Sequence, residues 1–415
     1  MKKFVALLLA LCIAFAVFAG CNRTDTADDV NTVVETPIYA QEDTAAQDTA
    51  EDDGTVTAAT TQTESIDFAA LYATHEPDEV VAVVNGRDVT WQNYFYWLYT
   101  QAIQIQNYFT QMSAYYAEVH TWDEVAYEES GTTFAQATVD NAAVMLRQLH
   151  GIEDFASENG VELTEADEAA IAAQLESDIK SFCGEEATED EFNAKITDSY
   201  LTRELYDRIN RIDKLYANGF TNKYGENGSE VEDETAVKYL EDNGYLSATH
   251  ILLMTIDPTT REALDEAAVA EKKAQAEKIA EELAAITDPA ELTARFAELK
   301  EEYDEDTGKT IYPDGYVFTE GTMVTEFEDA VKSLDAGEVS GVVESGYGYH
   351  IIMRLAPDAE RTVSYSSDGA TAYSARYLYA SNAYAEEVEN FVDAIEIDFA
   401  DGFEINLLDY VVKGE

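Results

Sequence analysis

Apolar residues along this chain fall into stretches of different period. From Trp91 to about residue 225 they recur every three to four positions, the spacing of a helix with one buried face. No proline interrupts the chain between positions 78 and 256. The pattern predicts helices at about 91–118, 132–158, 164–181 and 188–224. Ahead of them, Glu79 to Thr90 alternates in the manner of two short strands joined by an Asn85-Gly86 turn. Thr90 is placed to cap the first long helix. Trp91, Tyr94, Phe95, Trp97, Tyr108, Phe109, Tyr115 and Tyr116 all lie on that helix. Helical spacing alone leaves open which of these aromatics are core and which line an apolar binding groove.

After a short helix at about 232–243, ending at Asn243-Gly244, the period changes. Two apolar runs look nearly alike: Thr249-His250-Ile251-Leu252-Leu253-Met254 and Tyr349-His350-Ile351-Ile352-Met353-Arg354. Between them stand a charged amphipathic helix at 262–286, with Ala276, Ile279, Ala280 and Leu283 on one face, and a second helix opened by Asp288-Pro289. The second helix turns Leu292, Phe296 and Leu299 to the core. An acidic loop from Glu301 to Gly308 follows, then a strand around Tyr316-Val317-Phe318. Thr325-Glu326-Phe327-Glu328 reads as a capping box opening a third helix. Val339 to Val343 is a strand, and Ser345-Gly346-Tyr347-Gly348 turns the chain into the second histidine strand. The order β-α-α-β-α-β-β predicts a small sheet with helices packed on it, so the chain as a whole is α+β. Beyond Pro357 lie a polar stretch, a helix near 376–395 and an apolar ending from Phe403 to Val412, expected to fold back onto the helical region.

The chain has five histidines, and two of them head the twin strands. A polar ring at the edge of a buried strand needs a partner, since an unsatisfied polar group in a core costs about 1–3 kcal/mol. His250 and His350 therefore read as neighbours whose imidazoles meet. Residues alone leave open whether that meeting is a packing device or a site.

Composition adds the compartment. Lys2 and Lys3 precede an apolar run from Phe4 to Ala19, followed by Gly20-Cys21, the layout of a secretory signal over residues 1–20. Phe18-Ala19-Gly20-Cys21 resembles the lipobox of bacterial lipoproteins, which implies a lipid on Cys21 as the first mature residue. No later stretch is long and apolar enough to span a membrane. The lipid would then be the membrane anchor, with the protein facing outside the cytoplasm. From Asn22 to Asp67 there are twelve acidic residues and one basic residue, Arg23, with almost no large apolar side chains. Such a segment cannot bury enough surface to offset its ordering entropy. Residues 21–78 are read as the lipidated Cys and a disordered acidic tether, reaching roughly 35–40 Å. Cys183 is left as the single mature thiol beyond Cys21, so no internal disulfide is expected. The formal charge is −59, from 25 basic and 84 acidic residues. Nucleic acid is excluded as a partner on that ground. The acids form a solvated surface, or also draw in basic polypeptide segments.

Residues 247–355 resemble the parvulin-type peptidyl-prolyl isomerases. The stretches that carry the resemblance are ATHILL, FAELKEEYDED, GTMVTEFEDAVKSL with AGEVSGVV, and SGYGYHIIMRL, in that order. With a lipid anchor, a helical region opening on VVAVVNGRDVT and a short tail, the whole resembles the PrsA/SurA group of extracytoplasmic foldases. The resemblance implies a helical SurA-N-like chaperone region at 79–244, an isomerase domain with a four-stranded, mostly antiparallel sheet at 245–356, and a C-terminal segment at 357–415. It implies catalytic roles for His250, Asp306, Ser345 and His350, with Asp306 nearest the twisting amide. It implies a proline pocket built by Met323, Phe327 and Phe318. Where the family reads Gly-Asp-Leu-Gly, this chain has Pro313-Asp314-Gly315-Tyr316, so Gly315 is read as standing for a pocket Leu, with Tyr316 covering the gap. No basic cluster follows the first strand, so no preference for phosphorylated substrates is expected.

The implied reaction is rotation about an X-Pro bond in unfolded or partly folded secreted proteins. The barrier is about 18–20 kcal/mol because of C–N double-bond character. An apolar clamp and a dry, fixed polar surface suffice to favour the twisted amide. No cofactor and no metal is expected. Asp304-Glu305-Asp306 lacks the Gly and distal Glu of a calcium loop. The competing reading is a holdase chaperone with a weak or inactive isomerase domain. A solute-binding lipoprotein would need a second α/β lobe, which residues 91–225 do not suggest. Whether the chain forms a homodimer is left open.

Overall fold

The computed structural model describes residues 64–128, 130–365 and 371–413. The signal segment, Cys21 and the tether up to residue 63 lie outside the described residues. The chain divides into two compact units, one comprising residues 64–223 and 382–413, the other residues 224–381.

The first unit holds strands β1 (Glu64–Ile66), β2 (Val80–Val84), β3 (Arg87–Thr90), β4 (Val125–Tyr127) and β5 (Thr132–Thr133). Its helices are α1 (Phe68–Tyr72), α2 (Trp91–Tyr116), α3 (Phe134–Glu158), α4 (Glu165–Cys183), α5 (Glu189–Thr197) and α6 (Arg203–Tyr224). The hairpin β2–β3 turns through Asn85 and Gly86, both at positive φ, the geometry that matches the twist of the flanking strands. Threonine caps open most of these helices: Thr90 accepts from the Asn93 amide and Thr133 from Gln136, while Thr164 and Thr188 form full capping boxes. The first half of α2 buries Trp91, Tyr94, Phe95, Trp97 and Leu98. Its far half buries Phe109 and exposes Tyr108, Tyr115 and Tyr116, so the aromatics divide between core and surface. Cys183 is half-buried and free. Among the described residues, no helix is long and apolar enough to cross a membrane.

Three expectations change here. The folded part begins before residue 79. Asp67 caps α1, Leu71 is fully buried, and β1 pairs antiparallel with β13 (Val411–Lys413). This pairing joins residues far apart in sequence, which local composition cannot reveal. The helix expected at 188–224 is two helices, broken where Tyr200 adopts positive φ. Tyr200 packs its ring on Phe95, its carbonyl accepts from Gln92, and Thr202 caps α6 through the Leu205 amide. The segment after Pro357 does not go entirely to the helical unit. Residues 357–381 belong with the isomerase-like unit and 382–413 with the helical one, where β12 (Ile397–Phe399) pairs with β2 and Tyr384 packs on Phe155 and Tyr216.

The second unit contains α7 (Asp233–Asp242), β6 (Leu246–Met254), α8 (Glu266–Ala284), α9 (Pro289–Tyr303), β7 (Tyr316–Phe318), α10 (Thr325–Ser333), β8 (Val339–Ser345), β9 (Gly348–Arg354), β10 (Thr362–Tyr365) and β11 (Ala372–Ser374). The helix α11 (Ala375–Asp393) starts in this unit. The unit is wider than 245–356, and its two flanks are tied to each other: Arg376 bonds the Val231 carbonyl, Asp233 and Glu360. The sheet order is β7-β6-β9-β8, every pair antiparallel. One face turns Ile251, Leu253, Tyr349, Ile351 and Met353 against Ala276, Ile279, Leu283, Phe296 and Leu299 of α8 and α9. The other turns Ala248, Leu252 and Ile352 against Phe327 and Val331 of α10. Covering both faces explains why the central strands read as nearly unbroken apolar runs. Each fully buried Ile is worth about 1.5–3 kcal/mol.

The backbone explains the residue at position 315. Gly315 has φ +95°, and a Cβ there would stand 2.6 Å from the Ala248 carbonyl oxygen of β6. The glycine is required where β7 crosses against β6.

Candidate active site

The register of β6 and β9 sets His250 opposite Ile352 and His350 opposite Leu252. The two histidines are thus diagonal neighbours on the α10 face, and their Nδ1 atoms lie 3.1 Å apart. Both rings are buried. Phe327 of α10 stands edge-on to each, its centroid 5.3 Å from His250 and 5.8 Å from His350. From His250 the network continues inward, with Nε2 2.9 Å from Asp306 Oδ2. From His350 it continues outward, with Nε2 2.7 Å from the Ser345 hydroxyl. Ser345, at the end of β8, accepts the Tyr347 amide at 3.2 Å. All four residues expected at the catalytic centre are therefore brought together.

The Nδ1···Nδ1 contact needs one proton between two nitrogens. With His350 neutral, His250 Nε2–H donates to the Asp306 carboxylate, one proton bridges the two Nδ1 atoms, and the Ser345 hydroxyl pairs with His350 Nε2. Burial, with His250 beside it, lowers the His350 pKa well below the ordinary value, against the pull of Asp306. Asp306 behaves in the opposite way. Burial opposes its charge, but hydrogen bonds from His250, Tyr316 and the Gly308 amide, with the attraction of His250, hold its carboxyl well below the usual carboxylate range.

Asp306 is held deep in the network. Its Oδ2 takes His250 Nε2 and the Tyr316 hydroxyl, its Oδ1 takes the Gly308 amide, and the residue is 3% exposed. Ser345, half-buried, is the outermost member. The Tyr316 hydroxyl anchors Asp306, and burial and that carboxylate raise its pKa.

Met323, Phe318 and Phe327 fall in one cluster with Tyr316 and Leu252, directly beside the histidines. Met323 is the most exposed of the three pocket residues at 7%. Val324, Tyr312 and Tyr347 pack on the cluster from outside. The expected capping box on Thr325 does not form. Val324 is the N-cap, without a side-chain bond, and the Glu328 carboxylate instead accepts the amides of Gly321, Thr322 and Met323. Glu328 is buried and fixes the turn that carries Met323. A carboxylate serving three amides three-dimensionally adjacent to its own helix has the same sequence spelling as a capping box, which is why the residues alone pointed elsewhere. Asp304 is the second residue whose part was not read: its Oδ1 takes the amides of Leu252 and Asp306. Among the described residues, no group of three His, Cys, Asp or Glu side chains could hold a metal ion.

Residues 250–356 match the family model of the rotamase, a PPIC-type PPIASE domain. The four-stranded sheet with its paired histidines is therefore a parvulin-type peptidyl-prolyl isomerase domain. The chain that carries it is similar to the PrsA/SurA foldases. It is 53% identical over 58 residues to foldase protein PrsA 1 of Bacillus cereus, a stretch covering 14% of this chain and 20% of that one. It is 27% identical over 216 residues to foldase protein PrsA of Clostridium tetani, covering 50% and 56%. The chain thus spans less than two thirds of either relative's length. Among solved structures, PrsA from Bacillus subtilis matches with 18% identity over 77% of this chain and 91% of that one, at a TM-score of 0.22.

The depressed Asp306 pKa sets a sign for pH. An ordinary Asp titrates near about 3.9, so the stabilisation by the ionised carboxylate is complete above that value and is lost as pH falls through the folded value. In thermal unfolding of the full chain, Asp306→Asn is expected to lower Tm most near neutral pH. Its gap to the wild type should narrow as pH drops below about 4. A gap as wide at acid pH as at neutral pH would contradict this assignment.

Proposed function

We propose that this protein is a peptidyl-prolyl cis–trans isomerase and foldase that acts on unfolded segments of secreted proteins. The single observation that carries the reading is the juxtaposition of the Ser345–His350–His250–Asp306 network with the Met323–Phe318–Phe327 cluster. The family match over residues 250–356 supports it.

In this reading a proline ring packs on the Met323 side of the cluster, displacing the outer residues Val324 and Tyr347. Conjugation holds the X-Pro amide planar with a barrier of about 18–20 kcal/mol. As the bond twists, the carbonyl and the nitrogen cease to share electrons, and the local dipole changes. The network supplies fixed dipoles, already oriented before the client arrives, so little reorganisation is needed at the moment of rotation. Ser345 presents the outer hydroxyl, His350 and His250 orient it, and Asp306 fixes the direction of the chain of hydrogen bonds. The apolar cluster keeps water out, which strengthens these interactions. Rotation breaks and forms no covalent bond, so none of these groups has to be a nucleophile.

The location follows from the sequence. Lys2, Lys3, the apolar run to Ala19 and the Phe18-Ala19-Gly20-Cys21 motif support export and a lipid on Cys21, which would hold the isomerase outside the cytoplasmic membrane. Mass spectrometry of the N-terminal peptide from the membrane fraction is expected to find Cys21 first and acylated; an unmodified or internal Cys21 would contradict the anchor.

Activity is tested by refolding of a protein whose slow phase is limited by X-Pro isomerisation. The full chain is expected to accelerate that phase. Met323→Ala should lower the acceleration roughly tenfold, about 1.4 kcal/mol of transition-state stabilisation, and lower Tm as well because the side chain is buried in the cluster. No acceleration by the wild type, with aggregation of the client still suppressed, would replace this reading with a holdase.

A further inference from the structure

We infer that Asp304 is the positioning residue for the Asp306–His250 pair, holding the acidic loop to the open edge of β6 through one oxygen of a buried carboxyl. The argument begins at the sheet. β7 pairs with β6 only from Leu246 to Ala248, so beyond Ala248 the outer edge of β6 has no partner strand. The loop after α9 covers it. Asp304 Oδ1 accepts the Leu252 amide at 2.9 Å, the Glu305 amide donates to the Leu252 carbonyl at 2.9 Å, and Glu305 Oε2 accepts the Met254 amide at 2.8 Å. The same Asp304 Oδ1 accepts the Asp306 amide at 3.1 Å. One oxygen therefore ties together the strand that carries His250 and the residue whose carboxylate meets it. The Lys309 ammonium bonds the Asp304 carbonyl from the following turn and closes the loop.

The other oxygen, Oδ2, is buried and has no hydrogen-bond partner, and Asp304 as a whole is 5% exposed. A buried carboxylate oxygen without a donor is costly, which disfavours the charged form there. The titration agrees in direction. Burial foremost raises the Asp304 pKa, and the nearby negative charge of Asp306 adds to it, while His250 and the amides of Leu252 and Asp306 work against it. The charged groups facing it come from several elements. Lys300 of α9 lies near enough to feel both Asp304 and Asp306 and spends its ammonium on Thr249 Oγ1 at 2.8 Å. Tyr316 of β7 feels the Asp304 charge, and Glu305 turns outward to Lys272 of α8. The two acids thus differ in setting: Asp306 is met by donors on both oxygens, while Asp304 spends one oxygen on two amides and leaves the other without a partner.

This inference rests on the isomerase reading for its kinetic part, so its test has a second readout that does not. Three full-length chains are compared: wild type, Asp304→Asn and Asp304→Ala. Asparagine keeps the acceptor oxygen and cannot ionise; alanine removes the clip. In the refolding assay, Asp304→Ala is expected to lose roughly ten- to hundredfold of the acceleration, because Asp306 is no longer held in place, and Asp304→Asn to rescue most of it. In thermal unfolding, Asp304→Ala should melt below the wild type throughout. A group whose folded pKa is raised stabilises fully at low pH and loses that contribution as pH rises through the folded value. Asp304→Asn should therefore gain on the wild type as pH rises above about 4. Asparagine as damaging as alanine would overturn the acceptor-oxygen clip, and alanine indistinguishable from wild type would overturn the positioning role. If the wild type proves inactive in refolding, the isomerase reading fails, and the melting comparison still decides the part played by Asp304.

Discussion

The antiparallel pairing of β6 with β9 is the constraint on which the site depends. Seven consecutive residue pairs, from Ala248 with Arg354 to Met254 with Gly348, fix the register. A slip of one residue would turn every side chain to the opposite face. The histidines would then face α8 and α9, where Ile279, Phe296 and Leu299 offer no polar partner. Register is secured by burial on both faces, since Ile251 and Ile351 fill one core while Leu252 and Ile352 fill the other. The polar network is thus held in place by apolar packing that takes no part in it.

Around that pair, buried carboxyls do different work in similar settings. Asp306 is surrounded by donors and remains ionised. Glu328 spends its oxygens on three backbone amides and shapes the turn bearing Met323. Asp304 clips the loop to the strand with one oxygen and leaves the other without a partner. What separates them is the count of donors each finds, because burial alone pushes all carboxyls toward the neutral form. In so acidic a chain, most carboxylates are solvated surface. These three matter because they are buried.

The order of elements between the twin strands was readable because amphipathic helices and short apolar strands have distinct periods. Asp288-Pro289 marked a helix start that the Asp288 side chain does cap, at the amides of Ala290 and Glu291. His250 and His350 were conspicuous as polar rings heading apolar runs. Reading failed where the decisive contact is distant in sequence. Ile66 and Leu71 lie in a polar stretch and are ordered by the chain's far end. Tyr316 reaches Asp306, and Gly315 is required by the backbone of a neighbouring strand, neither of which has a local signature. The donors around Asp306 have no local signature either, because its spelling cannot reveal how many surround it.

The central claim is that one chain of hydrogen bonds runs from Ser345 through His350 and His250 to the anion at Asp306. Nitrogen-15 NMR of the histidine side chains in the full chain at neutral pH tests it most directly. The account predicts a neutral His350, a single proton on the Nδ1···Nδ1 contact, and a His250 protonated at Nε2 toward Asp306. A doubly protonated His350, or a His250 without a proton at Nε2, would contradict it.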